Sequence, residues 1–257
     1  MAEIVVKDNS LIQASYSLST VEQRLILLAI AEARETGNGL NQGSVLEVRA
    51  STYLNYFQVD KSTAYQVLKE ASKSLFNRYI TYHDKNPKNG RNRSFHCRWV
   101  DKIGYEEQSG VVYLRFTQEV VPLITRLKEN FTKYELKQIS KLTSSYAIRL
   151  YELIIQWRSI QATPIFDLSE FRNQLGLDES SYSRMSDFKK NVLDFSVNQI
   201  NEHTDITVEY EQHKRGRVIS GISFTFKLKQ PVKASSPKAV EPLKVPDQDA
   251  ALREAQA

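Results

Sequence analysis

The order of helix and strand signals in this 257-residue chain occurs twice, and this repetition restricts the fold more than any other feature of the sequence. The first half predicts, in order, a helix at 18–33, a strand at 45–48, a short helix at 52–57, a longer helix at 62–77, and strands at 79–83, 95–103 and 111–116. The second half predicts a helix at 145–157, a strand-like connection at 164–167, a short helix at 167–174, a longer helix capped by Ser186 that ends near Asn201, and strands at 206–210 and 222–226. Capping-box spacing at Ser19 and Glu22, and again at Asp167 and Glu170, marks where two of these helices begin.

Helix, strand, helix, turn, helix and hairpin is the order of a winged helix, in which a helix-turn-helix carries an appended pair of strands. We therefore predict an α+β fold of two tandem winged-helix domains, at 1–127 and 128–230, with a connector near 128–141. Residues 231–257 contain four of the seven prolines and neither glycine nor aromatic residues. Such a segment buries too little apolar surface to offset its ordering entropy, so we predict a disordered tail.

The positive charge of the chain lies where these domains would meet a polyanion. The net charge is +5, and the tail contributes none of it because its four basic and four acidic residues cancel. Two predicted loops are basic: the turn around Gly216, and the loop at 84–93, which we interpret as the wing of the first domain. Their predicted phosphate-contacting residues are Lys88, Arg91, Arg93, Lys214, Arg215 and Arg217. The alternative is that each loop is polar only for solubility.

The two longer helices are the predicted recognition helices, whose N-terminal residues contact base edges in the major groove. On the first, the inward residues are Val67, Leu68, Ala71 and Leu75, and the predicted DNA-binding residues are Lys61, Thr63, Tyr65, Gln66 and Lys69. On the second, the inward residues are Phe188, Val192, Phe195 and Ile200, and the predicted DNA-binding residues are Tyr182, Arg184, Lys189, Lys190 and Asn191. The alternative is that these faces are polar because every exposed helix is, and the adjacent basic loops favour DNA binding over that alternative.

A family resemblance rests on the order and spacing of several segments. They are ASYSLSTVEQRLILL at 14–28, FTKYEL at 131–136, SSYAIRLYELI at 144–154, SYSRMSDFKKNVLDFSVNQINEHTDI at 181–206, and the hairpin strand GISFTF that ends at Phe226. Together they resemble the iteron-binding, theta-type plasmid replication initiators, which have two winged-helix domains. The resemblance covers residues 5–230, so the tail is unmatched.

This resemblance implies a function and a set of partners. Similar proteins bind direct repeats, called iterons, in double-stranded origin DNA, promote melting of an adjacent AT-rich segment, and recruit the host replication initiator and replicative helicase. As homodimers in equilibrium with monomers they bind an inverted repeat at their own promoter and repress it. The second domain is expected to supply the main sequence-specific contacts, and the first to contribute DNA contacts and the dimer surface.

The resemblance also assigns the contact segment in the second domain. The matched residues are Arg184, Met185, Asp187, Phe188, Lys189 and Lys190. Some relatives have consecutive arginines where this chain has Lys189 and Lys190, and lysine lacks the planar fork for a bidentate contact with guanine. At these two positions a phosphate contact, or a single hydrogen bond to a base, is therefore as much expected as the bidentate base contact that arginine would make.

Catalytic and membrane functions are not expected. A rolling-circle nicking initiator needs a His-x-His metal pair, which the four histidines do not form, and an ATP-binding G-x-x-x-x-G-K loop is absent. Cys97 is the single cysteine, which excludes an intrachain disulfide and fits a reducing compartment. The longest apolar run, at 25–31, is far below the about 20 residues that cross a bilayer. We predict a bacterial cytoplasmic protein that is no enzyme and needs no cofactor or metal; the alternatives are a dedicated transcriptional repressor and a nicking enzyme.

Overall fold

The structure is a computed structural model, and it describes residues 3–37, 44–86, 88–125, 130–178 and 180–229. The predicted tail at 231–257 lies outside these ranges. The first half contains strand β1 (Ile4–Asp8), helix α1 (Asn9–Gln13), helix α2 (Thr20–Thr36), strand β2 (Leu46–Arg49), helices α3 (Ala50–Phe57) and α4 (Lys61–Leu75), strands β3 (Tyr79–Lys85), β4 (Asn92–Arg98), β5 (Val100–Glu106) and β6 (Val111–Phe116), and helix α5 (Val120–Thr125). The second half contains strand β7 (Phe131–Glu135), helix α6 (Ser145–Ile155), strand β8 (Phe166–Asp167), helices α7 (Leu168–Gln174), α8 (Met185–Phe188) and α9 (Phe195–His203), and strands β9 (Ile206–Arg215) and β10 (Val218–Leu228).

The first half is a winged helix with one hairpin inserted into it. Helices α2, α3 and α4 pack beside an antiparallel sheet of order β2-β6-β5. Helix α2 begins where the sequence predicts, because the Ser19 hydroxyl accepts the N–H of Glu22 and the Glu22 carboxylate accepts the N–H of Ser19. Strands β3 and β4 pair only with each other among the named strands and lie in the chain between helix α4 and the winged-helix sheet.

The prediction that the loop at 84–93 is the wing of the first domain is wrong. In its described part, which omits residue 87, the loop at 84–93 is the tip of the inserted β3–β4 hairpin, and the wing that follows the recognition helix is the β5–β6 hairpin. The single strand predicted at 95–103 is two strands, because the chain changes sheets at Trp99, whose side chain is completely buried. The alternation of apolar and polar residues does not reveal such a change, since strand signals continue on both sides of it.

The second half is a winged helix of the predicted order. Helices α6, α7 and α8–α9 pack with a sheet of order β8-β10-β9, in which β9 and β10 form a long wing. Asp167 caps helix α7, because its carboxylate accepts the N–H groups of Ser169 and Glu170. The prediction of two tandem winged helices is thus confirmed.

The two halves share one apolar core. A cluster of buried side chains extends from Val5 in the first half to Phe226 in the second. The predicted connector at 128–141 is in its described part strand β7, which pairs with β1, and a 3₁₀ turn at Leu136–Gln138, so it is not an unstructured linker. A functional division near residue 128 stays a prediction.

Candidate nucleic-acid interface

The second recognition helix begins at Met185, one residue before the predicted cap Ser186. Arg184 occupies the N-cap position without a side-chain cap, and its carbonyl accepts the N–H groups of Asp187 and Phe188. The guanidinium of Arg172, on helix α7, donates to the carbonyls of Ser181 and Tyr182 and lies 4.8 Å from the centre of the Phe188 ring. Arg172 therefore fixes the start of this helix from the preceding one.

A π-helical turn over Lys189–Asp194 interrupts the second recognition helix and connects α8 to α9. A π turn closes i→i+5 hydrogen bonds in place of i→i+4. It therefore changes which side chains after the turn point inward, as the insertion of one residue into an α-helix would. Phe188, Val192 and Ile200 are buried as predicted, but the prediction that Phe195 points inward is wrong: it is 47% exposed, and Ser196 is completely buried in its place. Helical spacing predicts Phe195 inward only if the helix continues without the π turn.

Predicted cations of the second recognition helix are exposed to solvent. They are Arg184, Lys189 and Lys190, followed by exposed Asn191, whose amide donates to the Asp187 carbonyl at 3.0 Å. Across the described ranges, with residue 179 outside them, no ion pair involves any of the three cations. Tyr182 is half-buried against Tyr146, with ring centres 6.3 Å apart, so part of its ring is packed within the domain, and its DNA contact stays a prediction. Asp187 lies in the same turn, but because none of the three cations forms an ion pair in the described residues, the helix start presents net positive charge.

The second wing adds cations at its tip. Strands β9 and β10 pair from Ile206 with Leu228 to Arg215 with Val218, and Gly216 turns the chain at φ +65°. A left-handed conformation at this position favours glycine over residues with a Cβ atom. Lys214, Arg215 and Arg217 are exposed at the tip. The structure thus combines an exposed cationic helix start and an exposed cationic wing tip within the second winged helix.

The first recognition helix uses several of its predicted DNA-binding side chains internally. Asp60 caps helix α4 and accepts the N–H of Thr63 at 2.9 Å and the hydroxyls of Ser62 and Thr63. These hydrogen bonds, with the Thr63 hydroxyl first among them, hold the pKa of Asp60 well below its usual range. Lys61 is exposed, with its ammonium 5.9 Å from the Tyr65 ring centre. The Thr63 hydroxyl therefore serves the helix cap.

The first wing is acidic where the second is basic. Glu106 and Glu107 lie at its tip, and Glu107 forms an ion pair with Lys69. The Gln66 amide donates to Glu70 at 2.5 Å. Tyr65 packs so closely on the wing residue Gly110 that a Cβ atom there would overlap the ring. The first recognition helix is therefore bound to its own wing.

The remaining predicted cations, Lys88, Arg91 and Arg93, lie on the inserted β3–β4 hairpin. Lys88 and Arg91 are exposed at its turn, and the Arg93 guanidinium lies 5.0 Å from the Phe95 ring centre. They form a third cationic surface, separate in the chain from both recognition helices.

Signals for other functions are weak in the described ranges. Within them no three His, Cys, Asp or Glu side chains are gathered as a metal ion would require, and none of the helices there is both long and apolar enough to span a bilayer. Burial raises the pKa of Cys97 to about 11, so the thiol stays protonated near neutral pH.

Sequence reasoning missed Arg172, the acidic first wing and the exposure of Phe195. The charge of residues 106–107 was visible in the sequence, but its place opposite helix α4 follows only from the strand pairing. Nothing in the spacing of residues 188–200 signals a π turn, and the position of Arg172 depends on tertiary packing.

Two family models match the chain. The model described as Initiator Replication protein, WH1, matches residues 4–155, and the model described as Initiator Rep protein, WH2, matches residues 167–226. Curated relatives from Escherichia coli include an uncharacterized 27.6 kDa protein, 25% identical over 85% of this chain and 93% of the relative, and a replication initiation protein, 26% identical over 89% of this chain and 71% of the relative. The crystal structure of the Pi initiator protein in complex with iteron DNA has a TM-score of 0.72 at 24% identity and covers 90% of this chain and 99% of that one, which shows a shared fold.

Proposed function

This chain belongs to the family of initiator replication proteins, and from that premise we propose that it initiates plasmid replication by binding direct repeats in origin DNA. The observation that carries the proposal is that one winged helix has both an exposed cationic start of its recognition helix and an exposed cationic tip of its wing. In this proposal Arg184, Lys189 and Lys190 contact bases or phosphates in the major groove, and Lys214, Arg215 and Arg217 contact backbone phosphates. The Pi initiator, which shares the fold, has been solved with iteron DNA.

The two winged helices have different roles in this proposal. The second discriminates between sequences, because the cations at the start of its recognition helix are exposed, form no ion pair within the described residues, and can therefore contact base edges. The first adds weaker backbone contacts through Lys61, Lys88 and Arg91, and its remaining surface is available for a second copy of the chain. Origin melting, recruitment of the host initiator and helicase, and repression of the chain's own promoter as a dimer belong to the same proposal through the family resemblance.

A plasmid test separates initiation from its alternatives. A plasmid without its own initiator, carrying this gene and its flanking DNA, is expected to replicate, and the same plasmid encoding the double variant R184A/K189A is expected to be lost. A variant of equal charge change outside the residues assigned to the interface, K133A/K137A at exposed positions of strand β7 and the turn after it, serves as the control.

Each alternative result of this test would indicate a different function. Repression of the promoter without replication would favour the dedicated repressor. Site-specific nicking of supercoiled plasmid DNA in the presence of a divalent metal would favour the rolling-circle enzyme and overturn the proposal. Family membership favours initiation over both.

A further inference from the structure

An aromatic ring on the second recognition helix is exposed by the π turn. Phe195 follows the buried Phe188 by seven residues, a spacing that points both side chains to the same side of an uninterrupted α-helix. The π turn at Lys189–Asp194 shifts this phase, so that Phe195 is 47% exposed and Ser196 is buried.

This arrangement disfavours folding at both positions. The Ser196 hydroxyl is buried and has no hydrogen-bond partner in the described part of the chain, which lowers the stability of the fold. The ring of Phe195 remains 47% exposed and so contributes less to stability than a buried ring. Single exposed apolar residues are common on protein surfaces, but an exposed phenylalanine next to a buried unpaired hydroxyl reverses the usual placement. Local violations of folding rules concentrate at functional sites, as do π turns.

The rest of the fold holds the π turn in place. The Tyr210 hydroxyl, on strand β9, donates to the Asp194 carboxylate at 2.7 Å. Val192 and Leu193, within the turn, are buried in the core. The outward position of Phe195 is therefore fixed by contacts on both sides of the turn.

Phe195 shares its exposed side of the helix with an asparagine. Asn198 follows it by three residues within the regular helix α9, and both side chains are exposed. Residues three apart are neighbours on an α-helix surface. Asparagine pairs with the edge of adenine in the major groove, and phenylalanine packs on the C5-methyl group of thymine. These two neighbouring residue types match adjacent A·T base pairs.

We propose that Phe195 contacts the C5-methyl group of a thymine in the major groove and that the π turn positions it for that contact. The inference rests on the proposed function, because it requires the second recognition helix to enter the major groove. Phe195 then determines specificity at a base pair beyond those contacted by Arg184 and Lys189.

Deoxyuridine, which lacks only the C5-methyl group of thymidine, provides the test. The full-length wild-type protein first selects its preferred duplex from random sequence, and each thymine of that site is then replaced in turn by uracil. We expect one replacement to weaken wild-type binding by about fourfold, the worth of one buried methyl group. F195A is expected to bind the thymine site more weakly and to show no further loss with uracil at that position.

Two further variants separate this contact from a structural effect. F195L keeps an apolar side chain and is expected to retain part of the thymine preference. F131A removes a ring of similar exposure on strand β7, 41% against 47% for Phe195, and is expected to respond to every uracil as the wild type does. Since Phe195 is exposed, F195A should unfold at the wild-type temperature.

The outcomes separate this inference from the proposed function. If the wild-type protein selects no sequence, the proposed function fails and this contact with it. If the wild type selects a site but tolerates uracil at every position, only the thymine contact is overturned. The same holds if replacement of that thymine by uracil lowers the affinity of F195A as much as it lowers the affinity of the wild type. A change of oligomeric state in F195A with unaltered thymine preference overturns it in favour of a protein contact.

Discussion

Arg149 is completely buried although its charge is permanent, and its surroundings explain how the fold accommodates it. Its guanidinium donates to the carbonyls of Ile12, Ala14 and Gln174 at 2.7–3.1 Å, and to the Glu152 carboxylate at 3.0 Å. It therefore connects helix α6 to the segment before α2 and to the end of α7.

Glu152 is the acidic centre of the same cluster. Its carboxylate accepts hydrogen bonds from the Lys7 ammonium at 2.6 Å, from the Tyr134 hydroxyl at 2.6 Å, and from the Arg149 guanidinium. Burial alone would raise the pKa of Glu152, but the charges of Lys7 and Arg149 outweigh it and hold the pKa below its usual value. A lowered carboxylate pKa contributes stability above the unfolded-state pKa, and this contribution is lost as pH falls through the folded-state pKa.

The variant E152Q is expected to lower the free energy of unfolding by about 3–5 kcal/mol, because it leaves two buried cations without a compensating charge. Urea unfolding at pH 7 measures the change. Below pH about 4.5 the wild type is expected to lose stability more steeply than E152Q, since only the wild type must protonate this carboxylate.

The exposed pair of Glu47 and Arg49 supplies the control for E152Q. Both side chains are about half exposed, and exposed pairs contribute about 0–1 kcal/mol, so E47Q should change stability little. Equal effects of E47Q and E152Q would contradict the assigned role of the buried cluster.

At the scale of secondary-structure elements, the two wings of the molecule carry opposite charge. The first wing places Glu107 against Lys69 of its recognition helix, and the second places Lys214, Arg215 and Arg217 at an exposed tip. A carboxylate beside a recognition helix repels phosphates and occupies a cation that would otherwise contact them. The element order is the same in both halves, but the electrostatics of their wings are not.

Removal of the carboxylate in E107Q is expected to strengthen binding to random DNA, because Lys69 becomes available for a phosphate. The slope of log affinity against log salt should become steeper by about 0.9, the value for one phosphate contact. Binding isotherms on random duplex DNA between 50 and 200 mM salt, roughly the range in which this term dominates, measure the slope.

E119Q changes the net charge equally at an exposed position of the first half and is the matched control. Equal slopes for E107Q and E119Q would show a general charge effect and not the release of Lys69.

The recognition helix and the wing of the second half are expected to differ when mutated. R184A should reduce discrimination between the selected site and random DNA, with a loss of about 1–3 kcal/mol if it contacts a base. R217A should weaken binding to all sequences alike and flatten the salt dependence by about 0.9. Affinities for both DNAs at several salt concentrations separate the two effects.

Lys227 lies at the end of β10 that is far from the wing tip, so the variant K227A controls for the change in net charge. Equal losses from R184A and R217A on selected and random DNA would contradict the division between a base-contacting helix and a phosphate-contacting wing.

The helices and most strands could be predicted from the sequence because their signals are local. Ser19 with Glu22 caps helix α2 as predicted, and Leu68 and Leu75 point inward on α4. The change of sheet at Trp99 and the π turn before Phe195 depend on packing between distant segments, which local periodicity does not contain. The cations of the second winged helix were found because charge on an exposed element is visible in the sequence, whereas the pairing of Lys69 with Glu107 joins residues 38 positions apart.

At the scale of the whole molecule, the two winged helices share a core and a buried ion cluster. Strand β1 pairs with β7, and the segment between α1 and α2 pairs with β3 through Ser15 and Thr81. Gly176, at φ +81°, approaches the Tyr16 carbonyl so closely that a Cβ atom would overlap it. The amino-terminal segment therefore contacts both halves.

Unfolding of the full chain is expected to occur in one transition, because a shared core couples the halves. Trp99 reports on the first half and Trp157 on the second, so W157F and W99F each leave one fluorescent probe. Within each variant, the tryptophan fluorescence curve and the far-ultraviolet circular dichroism curve in urea should have the same midpoint. Separate midpoints within one variant would show that the halves unfold independently.

The ion pair between Lys7 and Glu152 also has a consequence for synthesis on the ribosome. The two residues lie 145 positions apart, and translation at about 5–20 residues per second separates their emergence by roughly 7–30 s. Strand β1 lacks its counter-ion throughout that interval and lacks its partner strand β7 for most of it. The first winged helix is therefore completed only after the second has begun to emerge, and the earliest translated residues are among the last to reach their native contacts.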